Sequence, residues 1–259
     1  MTDTAAPPPI PAVNRITNAD ISAAFRAGLS DFARAPVYGL VIGAVFSVIG
    51  IAIVWTLYSG QASYWIFPVA AGFPLIGPFA AVGLYEVSRR IETGEPIGWG
   101  AVLGAGFRHK NSQLPFYMVM AVFAFLVWIV LARVIFAVSF GTANMTNALS
   151  SFDMFFTGPG ITMLIIGTVV GAALAALLFA LSVVSVPMLV DKDIDVVTAM
   201  ITSFGAVMEN RAAMIWWGAI IVGALIVAML PIFIGMIIIF PILGHTTWHV
   251  YRKMIAADG

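Results

Sequence analysis

The 259-residue chain contains no cysteine, which removes disulfides, iron–sulfur clusters and thiolate metal sites from consideration. It is also poor in charge: 9% of residues are Asp, Glu, Lys or Arg, against roughly 25% in a soluble domain. A water-facing surface cannot be assembled from so few charges. The formal net charge is zero, with 12 cations and 12 acids, so the basic footprint of a nucleic-acid binder is missing and no nucleic-acid partner is expected. Segments of about ten residues with alternating polarity, the mark of a transmembrane barrel, are absent. The start, Met1-Thr2-Asp3-Thr4 and then Pro7-Pro8-Pro9, has neither the cationic nor the apolar region of a cleaved signal peptide.

What is present is apolar. Hydrophobic residues make up 61% of the chain and mean hydropathy is +1.04. They are gathered in blocks of about 20 residues or more, the length that crosses a hydrocarbon core as a helix. The expected fold is all-α, a polytopic membrane helical bundle in one integral domain over residues 18–256, preceded by a disordered, proline-rich tail over 1–17.

Order is expected to begin at Asn18 as an N-cap, with Ile21, Phe25, Leu29 and Phe32 on one side of a short helix and Asp20, Arg26, Asp31 and Arg34 mostly elsewhere. Such a helix lies at the membrane surface. The first span runs from Pro36 to about Leu57, and Gly39 and Gly43 on it admit a close neighbour. The second, from about Trp65 to Glu86, holds Pro68, Pro74 and Pro78, so a kink or local unwinding is expected. Trp99, Val102, Leu103 and Phe107 suggest a second surface helix. The third span covers about Pro115 to Phe140, and the fourth about Ile161 to Leu189, with Gly167, Gly171 and Ala175 as a packing edge. A third amphipathic stretch carries Val197, Met200, Ile201, Phe204 and Met208 at helical spacing. The 36 uncharged residues from Ala213 to Trp248 are too many for one span and enough for two, joined by a turn near Leu230-Pro231.

The order is therefore surface helix, span, span, written three times over 18–92, 96–191 and 192–256, giving six transmembrane helices. Two copies align without a gap. Pro241 falls on Pro78, Trp248 on Tyr85, His249 on Glu86, Val250 on Val87, and Arg252-Lys253 on Arg89-Arg90. Eleven of the twelve cations lie in the tail, after even-numbered spans or at the C-terminus; Arg133 is the exception. The positive-inside rule then places both termini in the cytoplasm. Trp65, Trp99, Trp216, Trp217, Trp248 and Tyr251, near span ends, are expected to be interfacial anchors.

Several runs, among them Val82-Gly83-Leu84-Tyr85-Glu86-Val87-Ser88-Arg89-Arg90, Pro187-Met188-Leu189-Val190-Asp191 and Gly244-His245-Thr246-Thr247-Trp248-His249-Val250-Tyr251-Arg252, resemble the DUF2189 family of integral membrane proteins. The resemblance implies a bacterial inner-membrane protein and brings no activity, cofactor or catalytic residue with it.

The residues themselves offer few sites for chemistry. His245 and His249 share a helix face; they are expected to sit at the interface and hydrogen-bond between helices, the alternative being two metal or haem ligands with Glu86 as a third. Glu86 also has Arg89 and Arg90 at the spacing of helix ion pairs. Arg133, inside a span, is expected to pair with Asp153, the one acid on its side, and so pin the long loop; snorkelling is the alternative. No cofactor is implied. The expected partners are the lipid bilayer and either another membrane protein or a second copy of the chain. The function expected is a non-catalytic scaffold, assembly or regulatory protein, with a small transporter or channel for a neutral or apolar solute as the alternative.

Overall fold

The computed structural model describes residues 11–60, 65–107, 114–141 and 152–256. These residues are almost wholly helical, and among them the only β pairing is an isolated antiparallel bridge, Val13 with Ile255. In chain order the helices are α1 (Asn18–Arg34), α2 (Pro36–Ser59), α3 (Ile66–Gly72), α4 (Gly77–Ala80), α5 (Val82–Thr93), α6 (Trp99–Gly104), α7 (Leu114–Phe140), α8 (Gly158–Ser182), α9 (Ser185–Asp191), α10 (Val196–Glu209), α11 (Arg211–Met229) and α12 (Met236–Met254). Among the described residues four helical stretches are long and apolar enough to cross a membrane: α2, α7, α8 with α9, and α11.

The other two expected spans take a different form. Residues 66–93 are broken, because α3 gives way to a 3₁₀ turn at Phe73–Ile76, then α4, then α5. Proline supplies no amide and clashes with the turn before it, which prevents one continuous ladder here. Across the groove to α7, the indole Nε1 of Trp128 donates to the carbonyl of Pro68 at 2.7 Å. Helix α12 is the opposite case, short but almost entirely enclosed. It packs on α1, α2, α5, α9 and α11, and from Leu243 to Val250 only His249 keeps more than marginal exposure.

Small residues let α12 reach this position. A Cβ at Gly43 of α2 would stand 2.6 Å from the carbonyl oxygen of Ile237, and one at Gly244 would meet Leu84 of α5. Pro241 stands inside α12 and has no N–H for the carbonyl of Ile237, the same oxygen that a Cβ at Gly43 would crowd. Gly39 likewise faces Phe32 and Pro241, so the expected close approach along Gly39 and Gly43 is the seat of α12. On α8 the outcome is split. Gly171 packs on Trp128, whereas nothing lies within 4 Å of a Cβ built at Gly167, so that end of the expected packing edge faces outward.

Helices α1 and α10 pack at the end of the bundle where residues 12–16 meet 254–256 and Asn210, called the terminal end below. The N-cap of α1 is Thr17 rather than Asn18: its hydroxyl accepts the Asp20 amide, and the Asp20 carboxylate accepts the Thr17 amide. The face of α1 turned to the protein is Ile21, Ala24, Gly28 and Asp31, while Phe25 and Leu29 point outward. Helix α10 repeats this arrangement, with Ala199, Ser203 and Ala206 packed inward and Val197, Ile201, Phe204 and Met208 exposed. Residues 12–16, within the expected tail, are extended and tied down. Asn14 N–H donates to the Met254 carbonyl (2.8 Å), Ala256 N–H to the Ala12 carbonyl (3.1 Å), and Ile16 N–H to the side chain of the buried Asn210 (2.7 Å).

Between α11 and α12 the chain turns at 230–235, as expected from Leu230-Pro231. Ile232 and Phe233 there adopt the left-handed region, with φ of 49° and 65°. Such a conformation is strained for bulky side chains. It is held by Ser47 Oγ, which donates to the Phe233 carbonyl at 2.9 Å, and by the Phe233 ring, which packs against Phe73 and over Gly50.

Candidate functional site

Three buried segments meet at the terminal end of the bundle: Leu84–Arg89 of α5, Ser185–Val190 of α9, and the C-terminal half of α12. Each follows a helix break or an internal proline, and each ends in charged residues. Their polar side chains form the densest cluster of charge in the described structure.

Glu86, 1% exposed, sits at its base. Arg89 grips it with two hydrogen bonds, Nε to Oε2 and Nη2 to Oε1, both 2.9 Å, and Arg90 Nε adds a third to Oε1 at 2.6 Å. Arg89 turns its other edge to Glu95, again twice, at 2.8 Å. A planar guanidinium donating two parallel bonds to each of two carboxylates is the strongest geometry open to this pair of residue types. The hydrogen bonds from Arg89 pull the Glu95 carboxyl down to about 2. Arg90 completes the knot by donating to the Pro96 carbonyl at 2.6 Å, which fixes the loop into α6.

Helix α12 joins the cluster along three edges. His249 Nε2 meets Asp31 Oδ2 of α1 at 2.7 Å, and Asp31 is only 4% exposed. On a second edge, Trp248 Nε1 donates to Glu92 (3.2 Å), and Arg252 reaches both Glu92 (3.1 Å) and Asp191 (3.2 Å). Tyr251 O–H donates to the same Asp191 oxygen at 2.7 Å. Lys253 closes the third edge on Asp20 of α1, at 3.3 Å. Deeper still, Ser88 Oγ and His245 Nδ1 are 2.8 Å apart, both wholly buried, and His245 Nε2 has no hydrogen-bond partner among the described residues.

The three candidate ligands are thus engaged separately: Glu86 by two guanidiniums, His249 by Asp31 and His245 by Ser88. Among the described residues no group of three His, Cys, Asp or Glu side chains converges as a metal would need. Hydrogen bonding between helices is the role that His245 and His249 fit, while Glu86 is paired within its own helix. Asp31 was not expected here. It continues the 3-4-3 spacing of Ile21, Ala24 and Gly28, a face of mostly small side chains suited to another helix.

Three of the expected anchors are corrected by burial. Trp217, Trp248 and Tyr251 are wholly inside the protein, because the helices carrying them are covered at that level by their neighbours. Trp216 is exposed; Trp99 lies at the edge and packs against Tyr38 with ring centroids 4.6 Å apart; Trp65 is half-buried. Trp55 and Tyr58, at the far end of α2, are exposed and better placed as anchors, a role their position at a span end could have indicated. Arg133 and Asp153 are both exposed, the first on the last turns of α7 and the second in the 3₁₀ turn Phe152–Phe156. The cations Arg108 and Lys110 lie outside the described residues.

Residues 66–191, from α3 through α9, match a family described as a predicted integral membrane protein. This stretch belongs to the DUF2189 family. No curated protein and no solved structure matches the chain. The DUF2189 stretch contains Glu86, Arg89, Arg90, Glu92, Glu95 and Asp191, so it supplies one half of the cluster, and α1 and α12, beyond it, supply the other.

Proposed function

We propose that this integral membrane protein is a non-catalytic scaffold or assembly factor of the bacterial inner membrane, with six crossings in three like units and both termini on the cytoplasmic side. One observation carries the reading. The polar groups at the terminal end are engaged with one another, as ties between α1, α5, α9 and α12, while the outward faces are broad and apolar. In α8 with α9, only 6% of the most apolar stretch is buried, leaving a full helix face for lipid or another membrane protein.

The threefold arrangement is supported by packing that steps round the bundle. Helix α6 packs on α5, α10 packs on α8 and α9, and α1 packs on α12, so each surface helix rests on the span preceding its own unit and the first closes on the last. A transporter for an apolar or neutral solute draws support from the broken segment 66–81, since interrupted spans line many transport paths.

Photocrosslinking residues introduced at Val169 on α8 and Ile201 on α10, both exposed, separate the two readings in intact cells. One reproducible membrane-protein adduct in high yield is the scaffold outcome. Lipid adducts alone, together with solute uptake by vesicles holding only this chain, would replace it with transport.

A further inference from the structure

The three surface helices do not cover their junctions equally. Helix α1 has 17 residues and α10 has 14, and each fills its seat: Gly28 lies on the Thr246 backbone, and Ser203 Oγ donates to the Ala180 carbonyl at 2.7 Å. Helix α6 has six residues. Beneath it, between α2, α4, α5 and α7, is a groove of about 510 Å³. Every residue lining it is apolar, among them Ile42, Phe79, Gly83, Leu103, Met118 and Val119. Leu103 and Val119 are 72% and 68% exposed, so one side is open to whatever surrounds the helices.

The dimensions select an occupant. Along α7 the lining runs from Leu114 to Val122, nine residues spanning about 12 Å of helix rise. That is close to one leaflet, about 15 Å, of the hydrocarbon core. Spread over that 12 Å, the groove has a cross-section of roughly 42 Å². A hydrocarbon chain whose carbons keep about 4 Å from their neighbours needs roughly 20 Å², so the two chains of one phospholipid fit. The end nearest α6 is marked by Tyr38, one turn before Ile42 on α2, and Trp99, whose rings pack together. Such a pair sits naturally at headgroup level.

We infer that this groove is a binding site for the two acyl chains of one bilayer phospholipid, taken from the leaflet at the terminal end, with its headgroup beside Tyr38 and Trp99. The inference rests on the membrane location and the groove, and holds for scaffold and transporter alike. Val102 of α6 already packs on Gly83, and seated chains cover Phe79 and the exposed flank of Leu103 beside it, completing the junction that the short helix leaves partly open.

The test uses the full chain in nanodiscs of phosphatidylglycerol carrying a diazirine midway along one acyl chain. After irradiation, adducts are mapped by mass spectrometry. Labelling of Leu103, Met118 and Val119 is expected to exceed that of Ile165 and Val169 on the open face of α8 several-fold. Equal labelling would reduce the groove to ordinary boundary lipid and overturn the inference. The double variant Ala80→Leu, Val119→Phe fills the space and is expected to remove the excess while the thermal midpoint is retained; persistent excess in the folded variant would also overturn it. If the double variant does not fold, Val119→Phe alone, at the exposed rim, gives the same reading.

Discussion

Gly28 of α1 lies so close to Thr246 of α12 that a Cβ built on it would stand 2.5 Å from both the Thr246 amide nitrogen and its hydroxyl oxygen. The surface helix is therefore seated backbone to backbone on the enclosed span. That contact holds Asp31, three residues on, against His249.

Gly28→Ala is accordingly expected to destabilise the protein by about 1–3 kcal/mol, the usual cost of overpacking a tight contact. Gly205→Ala, at an α10 position with nothing within 4 Å of the added atom, is the control and should melt as the parent does. Equal midpoints for all three proteins in detergent would refute the tight seating of α1.

Glu86 provides the second prediction. Glu86→Ala leaves the buried Nε edge of Arg89 and Nε of Arg90 without their acceptor, with Glu95 still held by Arg89, at an expected cost of about 3–5 kcal/mol. Replacing Glu86 and Arg89 together by methionine is expected to recover part of that loss, because the two most deeply buried charges leave together. A double variant less stable than Glu86→Ala would show that the pair does more than neutralise itself.

Acid should loosen the loop between α5 and α6. The folded-state value of Glu95, about 2, lies below its ordinary 4.5. Its contribution is therefore complete above pH 4.5 and is lost as pH falls toward 2. Glu95→Gln should flatten this part of the curve of melting midpoint against pH, measured in parallel with the parent. Curves that stay parallel through the window would assign the acid sensitivity elsewhere.

For Arg133 and Asp153, a pairing across the far end predicts that Arg133→Gln, Asp153→Asn and the double variant lose similar amounts of stability. Additive losses in the double variant would show two independent residues.

Much of the architecture was legible in the sequence because its signals are local. Prolines at 68, 74 and 78 foretell the broken segment, Leu230-Pro231 foretells the turn before α12, and the Glu86, Arg89 and Arg90 spacing foretells their ion pairs. What stayed hidden depends on which neighbour covers each face. The outward stripes of α1 and α10 are easy to see, but the opposite faces, which by polarity suit water, instead pack on protein through Ala24, Gly28, Ala199 and Ala206. The pairings of His249 with Asp31 and Tyr251 with Asp191 join residues far apart in sequence, and no spacing rule reaches them. Burial of Trp217 and Trp248 has the same cause, since an aromatic near a span end looks alike whether lipid or a neighbouring helix covers it.

Because α12 follows every helix that it packs against, the piece around which they close is made after all of them. Until then Asp31, Glu92 and Asp191 have no tie to α12, and the glycine faces of α1 and α2 stand open in the lipid or at its edge. Biogenesis therefore includes an unfinished, hollow intermediate, and a chain stopped before Met236 is expected to be a substrate for membrane proteases rather than a smaller version of the protein.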